Sequence, residues 1–419
     1  MMLSKPRPAY PTYLVLSAAN AFLFGMIFAA TSVYEVINAG LNPLQLVLIG
    51  TTLEVSILLF EIPTGVVADI HSRKLSIVIG YVLVGAGFIL EGSFPIFWTI
   101  LLAQVVWGLG YTFTSGSTEA WISDEIGEEK AAQSFMRSSQ LGMVGGLVGL
   151  AVGIVLGNFE ITLPIMLGGA LIMIMGLLLA VLMPETGFSP TPKGERSSWQ
   201  QMVDTIRSGM GMLKHRPALK NIFMIGLFYG LYSEGFDRLW QKHLLDDFNL
   251  PAIQGINPVV WIGFLRITSS LLALAAIELV RRRLVNKSPG KLIRTLFGLS
   301  VMLIAGLGTF AIMKGNYWLA LLPFWIIEMT RSSISPLYTS WVNEKLDPQV
   351  RATVLSMSGQ VDAIGQVLAG PFMGMVGKLV SVRAALGLST MLLTPILGFY
   401  RKALKESQDL HTDVNNLID

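Results

Sequence analysis

Charged side chains placed where hydrocarbon should be are the residues of this sequence most able to do chemistry. Counted inward along its apolar stretches, Glu54 and Glu61 fall seven residues apart, near one face of a second helix. Glu234, Asp237 and Arg238 fall in the outer half of a seventh, and Arg266 at similar depth in an eighth. Glu328 and Arg331 share a face of a tenth at i and i+3, and Asp362 lies mid-way along an eleventh. A charge at the centre of a membrane helix costs about 2.5–3.5 kcal/mol on insertion scales, so such a group faces a partner or water. The chemistry open to these groups is proton exchange. Burial raises a carboxyl pKa and a nearby arginine lowers it, so one rearranged salt bridge can switch protonation. Asp362 or Glu328 would take a proton on one side and release it on the other, with Arg331 as the switchable partner of Asp362 and Glu328 competing for it. The competing reading is static: Glu328–Arg331, and Arg266 with Glu234 or Asp237, are permanent ion pairs that fix helix packing.

Other chemistry finds no foothold. The chain has no Cys, and its four histidines, His71, His215, His243 and His411, are expected in loops or a tail. Metal-ligand spacing, a nucleophile elbow and a phosphate-binding loop are all missing from the sequence. The expectation is a protein that is not an enzyme, with no metal and no cofactor, driven by a proton gradient.

The elements that must hold these charges are membrane helices. Of 419 residues, 53% are hydrophobic and only 14% charged, with mean hydropathy +0.61; a soluble domain carries about 25% charged residues. Apolar runs fall near 12–36, 44–68, 75–92, 96–121, 133–157 and 161–183, then near 218–240, 258–281, 291–313, 317–342, 350–375 and 382–400. Each approaches the roughly 20 residues a helix needs to cross a bilayer. Only helices or closed barrels satisfy their backbone in hydrocarbon, and the absence of a ten-residue alternation favours helices. The first run lacks a small-residue cleavage site and is too long for a signal segment, so it reads as a retained span.

Among the 30 Lys and Arg, Lys242, Lys314, Lys378 and Arg383 fall in loops on one side, Arg238, Arg266 and Arg331 fall within spans, and the rest fall at the opposite side or its edge. The positive-inside rule makes the richer side cytoplasmic, with both termini. The net charge of +3 then reflects juxtamembrane residues and gives no reason to expect nucleic acid.

The chain is also expected to be built twice. At an offset of 220, Trp121 matches Trp341, Gln140 matches Gln360, Gly145 matches Gly365 and Gly157 matches Gly377; at 201, Asn20 matches Asn221, Phe22 matches Phe223, Gly25 matches Gly226 and Ser32 matches Ser233. A longer external loop over Gln241–Asn257 would absorb the difference in offset. Two related halves of six helices suit a rocking transporter. The expected division is a six-helix bundle over 1–183, a cytoplasmic linker over 184–217, a second six-helix bundle over 218–404 and a polar tail over 405–419. Within the linker, Trp199, Met202, Val203, Ile206, Met210 and Leu213 share one helical face, suited to a membrane surface or to a partner.

Between the second and third apolar runs stands Glu61-Ile-Pro-Thr-Gly-Val-Val-Ala-Asp-Ile-His-Ser-Arg-Lys74, with the second helix expected to end at Ala68. Gly65 permits a tight turn and close helix approach, while Asp69 and Arg73 can bridge or cap helix ends. The pattern Gly65-x-x-x-Asp69-x-x-x-Arg73-Lys74 resembles the loop signature between the second and third helices of the major facilitator superfamily, with His71-Ser72 replacing part of the family's basic and glycine run. The resemblance runs from the first helix to Leu404. It implies an all-α membrane protein of about twelve transmembrane helices in two pseudo-symmetric six-helix bundles, and a loop that latches the cytoplasmic side. Acidic partners for the latch are Glu119 and Asp124; the alternative is a static, solvated turn.

Within that superfamily the chain is most like the bacterial twelve-helix drug–proton antiporters. The fifth run reads Gly142-x-x-Gly145-Gly146-x-x-Gly149-x-x-x-Gly153-x-x-x-Gly157, similar to their fifth-helix signature but without its usual Pro; generic packing of small residues explains it equally well. Pro184-Glu185-Thr186 follows the sixth helix as in that group, whereas Gln104 stands where the exporters' fourth helix carries Arg. Tyr229, Tyr232, Phe236, Phe324, Trp325 and Trp341 are candidates to line an amphipathic cavity. The resemblance implies a proton-coupled exporter of amphipathic small molecules working by alternating access, as a monomer in the inner membrane, with a small-molecule substrate, protons and lipid as partners. Two alternatives on the same fold are a proton-coupled nutrient or metabolite symporter and a lipid flippase.

Overall fold

Why the chain breaks where it does is legible at its caps. In the computed structural model, which describes residues 8–190, 192, 217–284, 289–345 and 348–405, Asn42 and Gln45 form a reciprocal capping box and Pro43 takes the first helical position of α3 (Pro43–Ile70). Ser72 caps α4 (Arg73–Ser93) by accepting from Leu75 N at 2.9 Å. Before them, α1 (Ala9–Phe28) and α2 (Thr31–Ile37) make one broken span. A second broken span follows in α5 (Phe97–Thr114) and α6 (Ser117–Ile126), which Gly116 divides with φ 69°. Two unbroken helices, α7 (Glu128–Phe159) and α8 (Leu163–Leu182), complete the first half.

The second half repeats the count with α9 (Pro217–Asp247), α10 (Pro258–Leu284), α11 (Pro289–Ile312), α12 (Tyr317–Lys345), α13 (Pro348–Leu379) and α14 (Val382–Leu393), whose last span continues to Lys405. Pro323 and Pro336 lie inside α12 and Pro371 inside α13; such prolines are tolerated in membrane helices because neighbours satisfy the freed carbonyls. Two-residue strands, β1 (Phe248–Asn249) and β2 (Gly315–Asn316), pair in parallel beyond the ends of α9 and α11. Every apolar run expected from the sequence is helical, so the chain is an all-α membrane protein with two halves of six helices.

Nine of these helical segments among the described residues are long and apolar enough to span a bilayer. The segments falling short are α9, α12 and α13, the helices that carry Asp237, Arg331 and Asp362.

Contacts divide the chain into two compact units, Met1–Met202 with Ala252–Phe264, and Val203–Pro251 with Leu265–Asp419. The expected linker helix, from Trp199 to Leu213, and the tail from residue 406 lie outside the described residues. Both units use the same closing device. In the first, α1 packs on α7, and a Cβ on Gly149 would meet Phe22 O at 1.9 Å, on Gly145 Ala18 O at 2.6 Å and on Gly153 Met26 O at 2.3 Å. In the second, α9 packs on α13, and a Cβ on Gly230 would meet Asp362 O at 2.0 Å and on Gly365 Leu227 O at 2.7 Å. The glycine run of the fifth span therefore faces a helix, and only part of it is needed: at Gly142 and Gly146 the nearest atoms are 3.7 and 3.8 Å away.

Three expectations need correction. The second helix runs to Ile70 rather than Ala68, so Gly65 sits inside it and the turn is made by His71 and Ser72. Ser72 can cap α4 directly, which leaves no need for a glycine turn. The seventh helix runs to Asp247, placing Lys242 and His243 in helix rather than loop and shortening the connection that follows. His243 is wholly buried, because its polar ring atoms find partners within the unit.

Candidate functional site

Small residues, charged groups and tyrosine faces on α9, α12 and α13 surround a cavity of about 480 Å³ inside the second unit. Its wall carries Tyr229, Tyr232 and Asp237 from α9, Arg331 and Tyr338 from α12, and Asp362 and Gln366 from α13. Arg331 and Asp237 are joined by a two-pronged ion pair, Nη1–Oδ1 at 2.5 Å and Nη2–Oδ2 at 2.8 Å. Such planar pairing is the strongest geometry open to a guanidinium and a carboxylate. The guanidinium also lies 5.8 Å from the ring centre of Tyr232 and 5.4 Å from that of Phe236. Glu328, one turn earlier on α12, reaches Arg331 only at 4.0 Å.

Asp362 is not the partner of Arg331 that the sequence suggested. Its Oδ2 accepts from the Gln366 amide at 2.8 Å, one turn along α13. Asp237 holds Arg331 because α9 and α12 present the two residues face to face, with both donors and both acceptors matched. The remaining charged candidates also sort differently. Glu234, 4% exposed, pairs with Arg238 on its own helix at 3.2 Å, and Arg266 lies in the field of Glu328. Glu54 and Glu61 sit on α3 in the first unit, the former half-buried and the latter exposed. Of the aromatic candidates, Tyr229 and Tyr232 line the cavity. Phe236 and Phe324 stack in the core, Trp325 donates to Thr268 Oγ1 at 3.0 Å, and Trp341 is buried against Tyr338 and Tyr400.

The loop between α3 and α4 is a charge-matched knot within the first unit. Arg73 Nη1 bonds Asp69 Oδ1 at 2.5 Å, and its Nε lies 3.7 Å from Asp124 Oδ2 at the end of α6. Glu119, the other acid considered, is an exposed residue lining a separate cavity with Tyr13, Asn20 and Ser138. Basic residues at a helix N-terminus oppose the helix dipole, and α4 starts with Arg73 and Lys74. A third acid offsets this. Glu185 accepts from Lys74 N at 2.8 Å and from Ser72 Oγ at 2.6 Å, so a carboxylate caps the positive helix end. The strand of chain that carries Glu185 is itself pinned, because Trp121 Nε1 donates to Pro184 O at 2.7 Å and Glu125 accepts from Thr186 Oγ1 at 2.8 Å and Gly187 N at 2.7 Å. Glu185 was visible in the sequence only as part of Pro184-Glu185-Thr186; its contact with Ser72 needs the fold.

Two of the buried polar groups, Glu91 and His243, were not recognised as buried from the sequence. Glu91, 1% exposed, sits near the end of α4 and accepts from Gln104 Nε2 at 3.1 Å. The position where exporters carry Arg thus holds an amide facing an acid. His243 is the second.

A family model described as Major Facilitator Superfamily matches residues 13–370. The chain belongs to that family. It is a transporter and not an enzyme. A curated relative, described as an uncharacterized MFS-type transporter YxaM from Bacillus subtilis (strain 168), is 24% identical over 394 residues, covering 91% of this chain and 92% of the relative. Among solved structures, the nucleoside transporter NupG aligns with TM-score 0.73 at 15% identity over 94% of this chain and 98% of that one. A bacterial homolog of the human lysosomal transporter Spinster, inward-facing and occupied, aligns with TM-score 0.72 at 15% identity, over 94% and 97%. A POT family transporter in complex with a thioalcohol-conjugated peptide aligns with TM-score 0.70 at 14% identity, over 96% of each chain. At these identities the likeness is one of fold, which this family member shares along nearly its whole length.

Proposed function

We propose that this family member is a proton-coupled secondary transporter that exports small amphipathic molecules across the inner membrane by alternating access, acting as a monomer with both termini in the cytoplasm. One observation carries the reading. In a cavity where Arg331 is engaged by Asp237, the Asp362 carboxylate bonds a neutral amide. An acid so placed gains or loses a proton without breaking an ion pair of its own, which is what a coupling group needs. The tyrosine faces of Tyr229, Tyr232 and Tyr338, with Ile334, supply apolar contact beside polar atoms and suit an amphipathic cargo.

A second reading, uptake of a polar metabolite with protons, draws on the same wall, where Ser233, Ser335, Thr339 and Ser358 add hydroxyls. The nucleoside and peptide transporters of like fold are in keeping with it. Proton flux into or out of proteoliposomes, triggered by each member of a cargo panel, separates the two. Export predicts that amphipathic compounds move protons opposite to themselves. Co-movement with nucleosides, peptides or sugars selects the second reading, and cargo movement with no proton flux defeats both.

A further inference from the structure

His243 is 0% exposed at the far end of α9, and both of its ring nitrogens are engaged. Nε2 lies 2.9 Å from the carbonyl oxygen of Phe310 on α11, and Nδ1 lies 2.7 Å from Asp247 Oδ2. A carbonyl only accepts, so Nε2 carries a hydrogen. Nδ1 then faces a carboxylate oxygen at a distance that two acceptors do not tolerate, so a proton lies between them. Whether drawn as imidazolium with carboxylate or as imidazole with carboxylic acid, the pair holds the same single extra proton. The ring is fixed edge-on between Phe248 and Phe310, at 5.2 and 5.0 Å between centroids.

Asp247 has another suitor. Arg383, in the first turn of α14, places Nε 3.7 Å from Asp247 Oδ1. Lys242, the neighbouring base on α9, is turned to Asp246 at 3.1 Å. The other elements at this end offer Lys314 before β2 and buried Tyr317 at the start of α12, while α11 and β1 present the Phe310 carbonyl and the two phenyl rings. Asp247, 27% exposed against 0% for the histidine, is the side on which a proton enters. It is ten residues beyond Asp237, about 15 Å along the helix, so this is not the Asp362 cavity.

We propose that His243 and Asp247 form a second proton-binding site, and that its occupancy decides whether the Asp247 carboxylate is shared between His243 and Arg383 or held by Arg383 alone. With the proton in place, Asp247 bonds His243 within α9 through Oδ2 while Oδ1 faces Arg383 on α14, and the Nε2 bond to Phe310 O joins α9 to α11. When the proton leaves to water, the lone pair of Nδ1 repels the carboxylate, and Asp247 closes on the Arg383 guanidinium, tightening the tie of α9 to α14. One carboxylate with two partners on two helices is a two-state element that a proton biases. The inference does not depend on Asp362 being the coupling acid.

Nitrogen NMR of histidine-labelled protein in lipid reads the site directly, since the chain has four histidines and His243→Gln identifies the signal. The expected result is a hydrogen-bonded Nδ1 that loses its proton in one step as pH is raised. Asp247→Asn, whose amide can bond Nδ1 but carries no exchangeable charge, should abolish that step, and Asp362→Asn should leave it in place. Arg383→Gln provides a second arm should Asp247→Asn fail to fold. With the competing cation gone, the step should move to higher pH. A bare Nδ1 at every pH, a step surviving unchanged in Asp247→Asn, or one unmoved in Arg383→Gln would overturn the proposal.

Discussion

The two units of this transporter are closed by the same glycine contacts but differ in what they bury. In the first, every spanning segment meets the length and apolarity expected of a membrane helix; in the second half, α9, α12 and α13 do not, among the described residues. Those three helices also carry the charged and amide residues that line the 480 Å³ cavity: Asp237 on α9, Arg331 on α12, Asp362 and Gln366 on α13. The matching cavity of the first unit carries Tyr13, Asn20, Ser138 and a single acid, Glu119. A deficit in hydropathy, read helix by helix, therefore coincides with the helices whose charged residues line a cavity in the second unit.

The largest effect should come from attacking what the units share. Gly149→Leu places carbon where Phe22 O already stands, and Gly230→Ala does the same against Asp362 O. Overpacking of this kind costs about 3 kcal/mol, so thermal unfolding of either purified variant should begin well below wild type. Equal tolerance in both would break the comparison at its root. Next is the ion pair found in the second unit. Removing Arg331 alone, as Arg331→Gln, should cost about 1–3 kcal/mol, less than a fully buried pair because Asp237 is 42% exposed. The double variant Asp237→Asn with Arg331→Gln should recover part of that loss in the same assay, and a double variant worse than the single would contradict the pairing. Smaller again is the knot of the first unit. Glu185→Gln weakens a charged helix cap worth about 0.5–1 kcal/mol, seen as faster hydrogen exchange in the first turn of α4 with little change in global unfolding. The smallest effect is expected at Gly142→Ala, where the nearest atom leaves 3.7 Å for the new methyl; it should unfold as wild type does.

Much of this fold was legible because hydropathy acts locally. The apolar runs near 44–68 and 75–92 are the helices found, α3 and α4, although the Ser72 cap between them was not read. The paired Gly145 and Gly365 marked a repeat whose meaning, glycine against a backbone carbonyl on α1 or α9, is now a distance. What sequence could not supply was partner choice. Asp237, Glu328 and Asp362 are equivalent as carboxylates near Arg331, and only the rotation of α9 against α12 selects Asp237. His243 was misplaced for a related reason: its helix continues past the apolar run, kept going by partners on α11 that lie 67 positions away. Glu91 was passed over because it sits at the edge of its run, where a charge normally reaches water; here it is buried against Gln104.

The coupling acid is proposed to lie in the second unit, and pH-driven accumulation in proteoliposomes tests that most directly. Asp362→Asn should lose uphill accumulation while keeping downhill exchange of cargo, and the combined Glu54→Gln and Glu61→Gln variant should still accumulate cargo when a pH gradient is imposed. Full accumulation by Asp362→Asn, with loss in the Glu54 and Glu61 variant, would contradict it and move the coupling site to the first unit.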